Sequence, residues 1–172
     1  MLLAHANPAP PQAHEFPYDV RSMPQVPTVR TTADAQDVLA ALQEGGVTPG
    51  CSIFLAAQSD LETEAWRKMF CWNLGNITVA STEPWMHLAS NPLHFGAYGS
   101  LAEGVRAFLD YLAKKELLPL AEAGRLDPYV AKLKSTYYAG SDPSVYYTYK
   151  WGMKARIARL SSPFALARYS PQ

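Results

Sequence analysis

Charge is scarce in this chain. Asp, Glu, Lys and Arg make up 17% of its 172 residues and balance to a formal net charge of zero. That balance argues against a general nucleic-acid binder, because phosphate contacts need a basic surface. Cysteine is scarcer still, with only Cys51 and Cys71. Were the residues between them one straight helix, the two would stand roughly 30 Å apart, well beyond the Cα separation of about 7 Å that a disulfide tolerates. Both read as free thiols that fill core space, and no CxxC or zinc-ligand spacing accompanies them. No apolar run is long enough to span a membrane. The opening residues, Met1-Leu2-Leu3-Ala4-His5-Ala6-Asn7-Pro8, lack the basic start and sustained apolar stretch of a secretory signal. Apolar side chains, by contrast, are plentiful at 48%, enough for one domain with a real core.

Charge is also uneven. From Lys150 to the end there are five basic residues (Lys150, Lys154, Arg156, Arg159, Arg168) and no acidic one. A solvated basic helix face is the default reading; the functional one is a patch attracted to an anionic polymer or partner. Residues 1–30 hold six prolines and no helical periodicity, which reads as an extended arm able to lie along a partner, or as a loose tail. The domain is expected to span residues 31–160, with 161–172 as a C-terminal tail. A first helix is expected from about Thr32, with Val38, Leu39 and Leu42 on one face and Gly45-Gly46 as its stop. A second is expected over about 52–70, with Phe54, Ala57, Leu61 and Ala65 as its buried stripe. Residues 73–99 carry glycine and proline without helical period and read as a loop-and-hairpin insertion. Helical pattern resumes at Ser100, whose spacing to Glu103 predicts a capping box. Shorter helices follow near 117–123 and from 127, and a last one over about 144–160.

One carboxyl stands out. Glu62 lies in an otherwise apolar helical stretch with Trp66 one turn on, a setting that raises a carboxyl pKa by disfavouring its charged form. A carboxyl protonated near neutral pH is what a glycosidase needs to give a proton to a departing sugar oxygen. On a continuous helix Gln58, Glu62 and Trp66 would share a stripe distinct from the core stripe and line a cleft. Trp72 reads as core, and Trp85, next to Pro84, as a residue of the cleft rim. His87 and His94 lie in the same insertion, without the carboxylate-rich spacing that would make them a metal pair. Tyr146, Tyr147, Tyr149 and Trp151 crowd one segment and cannot all be buried on one helix, so some should meet substrate or a partner; core packing is the default for Tyr147.

Several phrases together resemble the peptidoglycan glucosaminidases of glycoside hydrolase family 73, within the lysozyme-like superfamily. Ala57-Gln58-Ser59-Asp60-Leu61-Glu62-Thr63 is similar to that family's segment bearing the catalytic glutamate, and Asn73-Leu74-Gly75-Asn76-Ile77 to the phrase that follows it. Ala97-Tyr98-Gly99-Ser100-Leu101-Ala102-Glu103-Gly104 resembles the start of the family's next helix. Tyr137-Tyr138-Ala139, with Asp142-Pro143 and Tyr146, resembles its closing segment. The likeness runs through residues 33–160 in the family's order. It departs at Glu64-Ala65-Trp66, where family members usually carry Gly-Trp-Gly or similar.

The resemblance implies a mainly α, lysozyme-like domain with a small β-hairpin lobe over the cleft. It implies hydrolysis of the β-1,4 bond between N-acetylglucosamine and N-acetylmuramic acid, with no metal or cofactor. Glu62 would be the acid. Glu83, the only acidic residue between Glu64 and Glu103, is the candidate second carboxylate, either a general base or a plain loop residue. Asn73 would hold the loop under the cleft, and Tyr138 and Tyr146 would stack on or hydrogen-bond to sugar rings. With no signal segment, such a protein fits a phage virion or a cell-puncturing assembly that reaches the cell wall from elsewhere, its N-terminal arm docked on a tail or other virion protein. The alternatives are a non-catalytic lysozyme-like module of a larger particle, and a muramidase or lytic transglycosylase cutting the alternate bond.

Overall fold

The computed structural model describes residues 19–88, 91–137 and 142–162. Among these the chain is mainly helical, with six α-helices and two small two-stranded sheets. Helix α1 (Ala35–Glu44) starts on Asp34, two residues after the expected Thr32. Asp34 accepts from the Asp37 N–H at 2.8 Å while the Asp37 carboxylate reaches back to the Asp34 N–H, a reciprocal cap. Helix α2 (Pro49–Glu62) is opened by the Thr48 side chain and by proline in its first turn, where the missing N–H costs nothing.

Expected to run to Phe70, α2 stops at Glu62. The reason lies in the next turn, where Glu64, Ala65 and Trp66 all take left-handed backbone angles, φ 51°, 59° and 57°. That reversal brings β2 (Met69–Phe70) antiparallel to β1 (Arg30–Thr31), Arg30 opposite Phe70. The expected hairpin in the insertion is present as β3 (Trp85–Met86) against β4 (Phe95–Gly96), with Trp85 opposite Gly96.

Helix α3 (Leu101–Lys114) is capped by Ser100, whose hydroxyl accepts from the Glu103 N–H at 3.2 Å. Glu103 does not close the box on Ser100; its carboxylate accepts from the Gly99 N–H at 2.9 Å, one residue earlier. Gly104 lets α3 press on the turn that follows β2, since a β-carbon there would lie 2.0 Å from the Trp72 carbonyl oxygen. Short α4 (Leu118–Glu122) leads into α5 (Leu126–Tyr137), and α6 (Pro143–Leu160) returns along α2 and α5.

The helices share one apolar core built on residues such as Leu42, Leu55, Phe108, Leu112, Tyr129 and Met153, all fully buried. A second, smaller cluster lies under the β lobe: Val20, Val26, Cys71, Met86, Phe95 and Ala97. Val20 and Val26 fall within the stretch expected as an arm. Here residues 19–31 are packed on the folded unit, with the Val26 N–H donating to the Trp85 carbonyl at 2.9 Å and two valines buried, so the unit includes them rather than starting near Thr31. Residues 1–18, the rest of that stretch, are outside the described residues. Cys51 and Cys71 are free and buried, as expected; burial, with Glu122 beside it, pushes the Cys51 thiol up to about 12, which makes it a poor nucleophile at neutral pH.

Candidate active site

Glu62 is the last residue of α2, half-buried where the helix meets α6 and the loop that follows. Its Oε1 accepts from the Tyr149 hydroxyl at 2.7 Å. Its main-chain carbonyl, one of those a helix end leaves unpaired, accepts from the Asn76 side-chain amide at 2.9 Å. Burial pushes the Glu62 carboxyl above its ordinary range, and the Tyr149 hydrogen bond pulls the other way. The bound group is a neutral phenol, not a cation, so nothing in this contact fixes a charge on Glu62.

The backbone around Glu62 is held in costly geometry. Three successive non-glycine residues in the left-handed region cost on the order of 1 kcal/mol each, and here they follow Glu62 by two positions. The turn is stapled from inside: Thr63 Oγ1 donates to the Ser59 carbonyl at 2.6 Å, the Trp66 N–H donates to Thr63 Oγ1 at 3.1 Å, and the indole N–H donates to Ser59 Oγ at 2.9 Å. Beyond it, Asn73 ties the next loop. Its Nδ2 donates to the Ile77 and Gly96 carbonyls at 2.9 and 3.0 Å, and its Oδ1 accepts from the Ile77 N–H at 2.7 Å. That is the loop-holding part expected of it. With both amide protons engaged and the side chain buried, Asn73 is not a group that meets a ligand.

No protein-family model, curated protein or solved structure matches the chain.

Two expected site residues are corrected by burial. Trp66 is 1% exposed, because α2 ends before it and the left-handed turn swings its ring inward. Gln58 is 4% exposed and accepts from the Tyr129 hydroxyl on α5, so it faces a neighbouring helix. The shared stripe of Gln58, Glu62 and Trp66 is therefore not formed.

Glu83 lies in an exposed turn, where its charge, after burial, helps to push the Tyr98 phenol up. Trp85 is half-buried and stacks on His94 with ring centroids 3.9 Å apart, His87 meeting it edge-on at 4.8 Å. Tyr146 is half-buried beside Tyr147, and Tyr138 lies outside the described residues.

The group that sequence reasoning did not place at Glu62 is Tyr149. The signal was available: Tyr146, Tyr149 and Met153 recur at helical spacing, so Tyr149 belongs on the inward face of α6. Also missed was what holds α6 there. Asp60, fully buried two residues before Glu62, is ion-paired with both Arg156 and Arg159 of α6.

Proposed function

We propose that this protein is a peptidoglycan hydrolase that cleaves the β-1,4 bond between N-acetylglucosamine and N-acetylmuramic acid, with Glu62 as general acid. The observation that carries this reading is the state of Glu62: half-buried, raised in pKa by desolvation, and bonded to a neutral hydroxyl at 2.7 Å. Tyr149 donates to Oε1, and Oε2 would deliver the proton to the leaving oxygen. Such a proton is worth on the order of 10²–10⁴ in rate. The phrases around Glu62, Asn73, Ser100 and Asp142 resemble the glucosaminidase family in order, which supports the bond assigned. For the second half of the reaction, Glu83 would act as base on an attacking water. The substrate's own N-acetyl group is the alternative nucleophile, one that glycosidases are able to use. Delivery to the wall as part of a phage virion or cell-puncturing assembly belongs to the same reading.

Incubation with purified peptidoglycan, followed by mass spectrometry of the products, tests it. New N-acetylglucosamine reducing ends are expected, and they should vanish with Glu62→Gln. Muramic-acid reducing ends or anhydro sugars would move the chain to the muramidase or transglycosylase class. No released sugar at all would leave a binding module.

A further inference from the structure

Four aromatic residues crowd the first half of α6, and two of them serve neither the core nor Glu62. Tyr146 and Tyr149 pack inward against the helical core. Tyr147 and Trp151 point out, 60% and 65% exposed. They stand four residues apart, so about 6 Å along the axis on one face, and about 200° around the helix from Tyr149. Their neighbours on that face are small or polar: Thr148, Ala155 and Ala158 are all exposed. Two aromatic rings are thus largely open to solvent, Tyr147 with its neighbour Tyr146 against it at 5.2 Å between centroids.

The charge that α6 itself carries has one sign, with Asp142 at its cap and Asp127 of α5 beside Lys150 as the carboxylates near it. Residues 143–162 contain no acidic side chain. Lys154 places its Nζ over the Trp151 ring at 5.4 Å from the centroid, and Lys150 lies between the two rings in sequence, ion-paired with Asp127 at 2.8 Å. Arg156 and Arg159 are spent on Asp60, so Lys154 is the cation this face presents.

We propose that Tyr147, Trp151 and Lys154 form a second binding site for the anionic glycan strand of peptidoglycan, separate from Glu62. The proposal rests on the peptidoglycan reading above. Exposed aromatic faces give sugar rings apolar area, and their hydroxyl and indole N–H add polar handles. Lys154 attracts the free carboxylates of the peptide stems that the strand carries. A second copy of the chain is a poorer occupant. Two aromatic side chains bury about 150–250 Å² each, well short of the roughly 800 Å² per partner of a stable interface, and small residues flank them. The site would hold the polymer near the enzyme between cuts.

Pelleting with insoluble peptidoglycan tests this, run on the Glu62→Gln chain so that the polymer survives. Adding Tyr147→Ala with Trp151→Ala should weaken pelleting about tenfold, and Lys154→Glu should weaken it less and flatten its salt dependence. In the chain with Glu62 intact, Tyr147→Ala with Trp151→Ala should leave turnover of a short soluble glycan fragment unchanged. Circular dichroism of each variant should match the parent. Equal pelleting with and without the aromatic rings would overturn the site, as would an equal loss of soluble-fragment turnover. A dimer in light scattering that these substitutions dissociate would also overturn it and assign the face to a second copy. The two readings separate cleanly. Pelleting that needs Trp151, by a chain that releases no sugar, keeps this site and removes the hydrolase; sugar release with pelleting indifferent to Trp151 does the reverse.

Discussion

Two stretches of the α2–α6 seam handle a carboxylate in opposite ways. At Asp60 the side chain is fully buried and α6 supplies two guanidinium groups, Arg156 and Arg159. At Glu62, two residues on, the side chain is half-buried and α6 supplies a phenol, Tyr149. The first arrangement compensates a charge completely and makes it a strut. The second withholds compensation, so burial acts on the carboxyl unopposed except by one neutral hydrogen bond, and the proton is held more tightly. One pair of helices thus carries both a clamp and a protonatable group, and the clamp fixes the register that brings Tyr149 to Glu62.

The largest effect expected at this seam is on turnover. Glu62→Gln should lower peptidoglycan hydrolysis by about 10²–10⁴, read from reducing-end release, with no loss of thermal midpoint at neutral pH. A Gln variant that still turns over at the wild-type rate would make Glu62 as structural as Asp60 and erase the distinction. Next in size is the clamp. Asp60→Asn should destabilise the fold by about 3 kcal/mol, the lower end for removing one member of a buried ion pair, because both arginines keep some contact with water. Urea unfolding followed by circular dichroism measures it. A loss within experimental error would show that the guanidinium groups turn to solvent and that the strut is not one.

The helices and the hairpin were legible from apolar periodicity and turn residues, since those patterns follow from what each segment must bury. Ser100 as a cap and Gly45 as a stop were readable for the same local reason. The end of α2 was not. Nothing in Glu64-Ala65-Trp66 favours left-handed backbone, and the turn exists because Trp66 and Thr63 find partners on Ser59, a cost that tertiary packing offsets. That misplacement also put Trp66 on a cleft it does not line; Gln58, well inside α2, was misplaced for another reason, that α5 packs on its side of the helix. Glu62 itself was singled out correctly as a carboxyl in an apolar setting, because burial is what composition around a residue reports. Its partner was legible only in part: helical spacing turns Tyr149 to the inward face of α6, but which residue it meets depends on α2–α6 pairing across 87 positions. The β1–β2 pair, formed by two-residue strands, was too short to leave a period in the sequence.

A smaller effect comes from the phenol. Tyr149→Phe removes the one hydrogen bond that pulls the Glu62 carboxyl down, so its pKa should rise further. A general acid works only while protonated, so activity falls as pH passes upward through that value. In the Phe variant the fall should come at higher pH, with turnover at the plateau within a few-fold of the parent. A pH–rate profile with an unmoved alkaline limb would mean that Tyr149 does not meet Glu62 in solution, and the seam would then carry only its clamp.

The smallest effect concerns stability, and its sign separates the two carboxylates most directly. Glu62 has a higher pKa folded than unfolded, so folding strengthens its hold on a proton. Its contribution to stability is full below the ordinary carboxyl range and is lost as pH rises through the folded value. Gln carries no such loss. The Glu62→Gln chain should therefore match the parent in acid and be slightly the more stable at neutral pH, read as thermal midpoints across that interval. The opposite trend, a Gln variant that loses ground as pH rises, would mean that Glu62 is charge-compensated in the folded state. It would then be a second Asp60, and α6 would hold two struts and no acid.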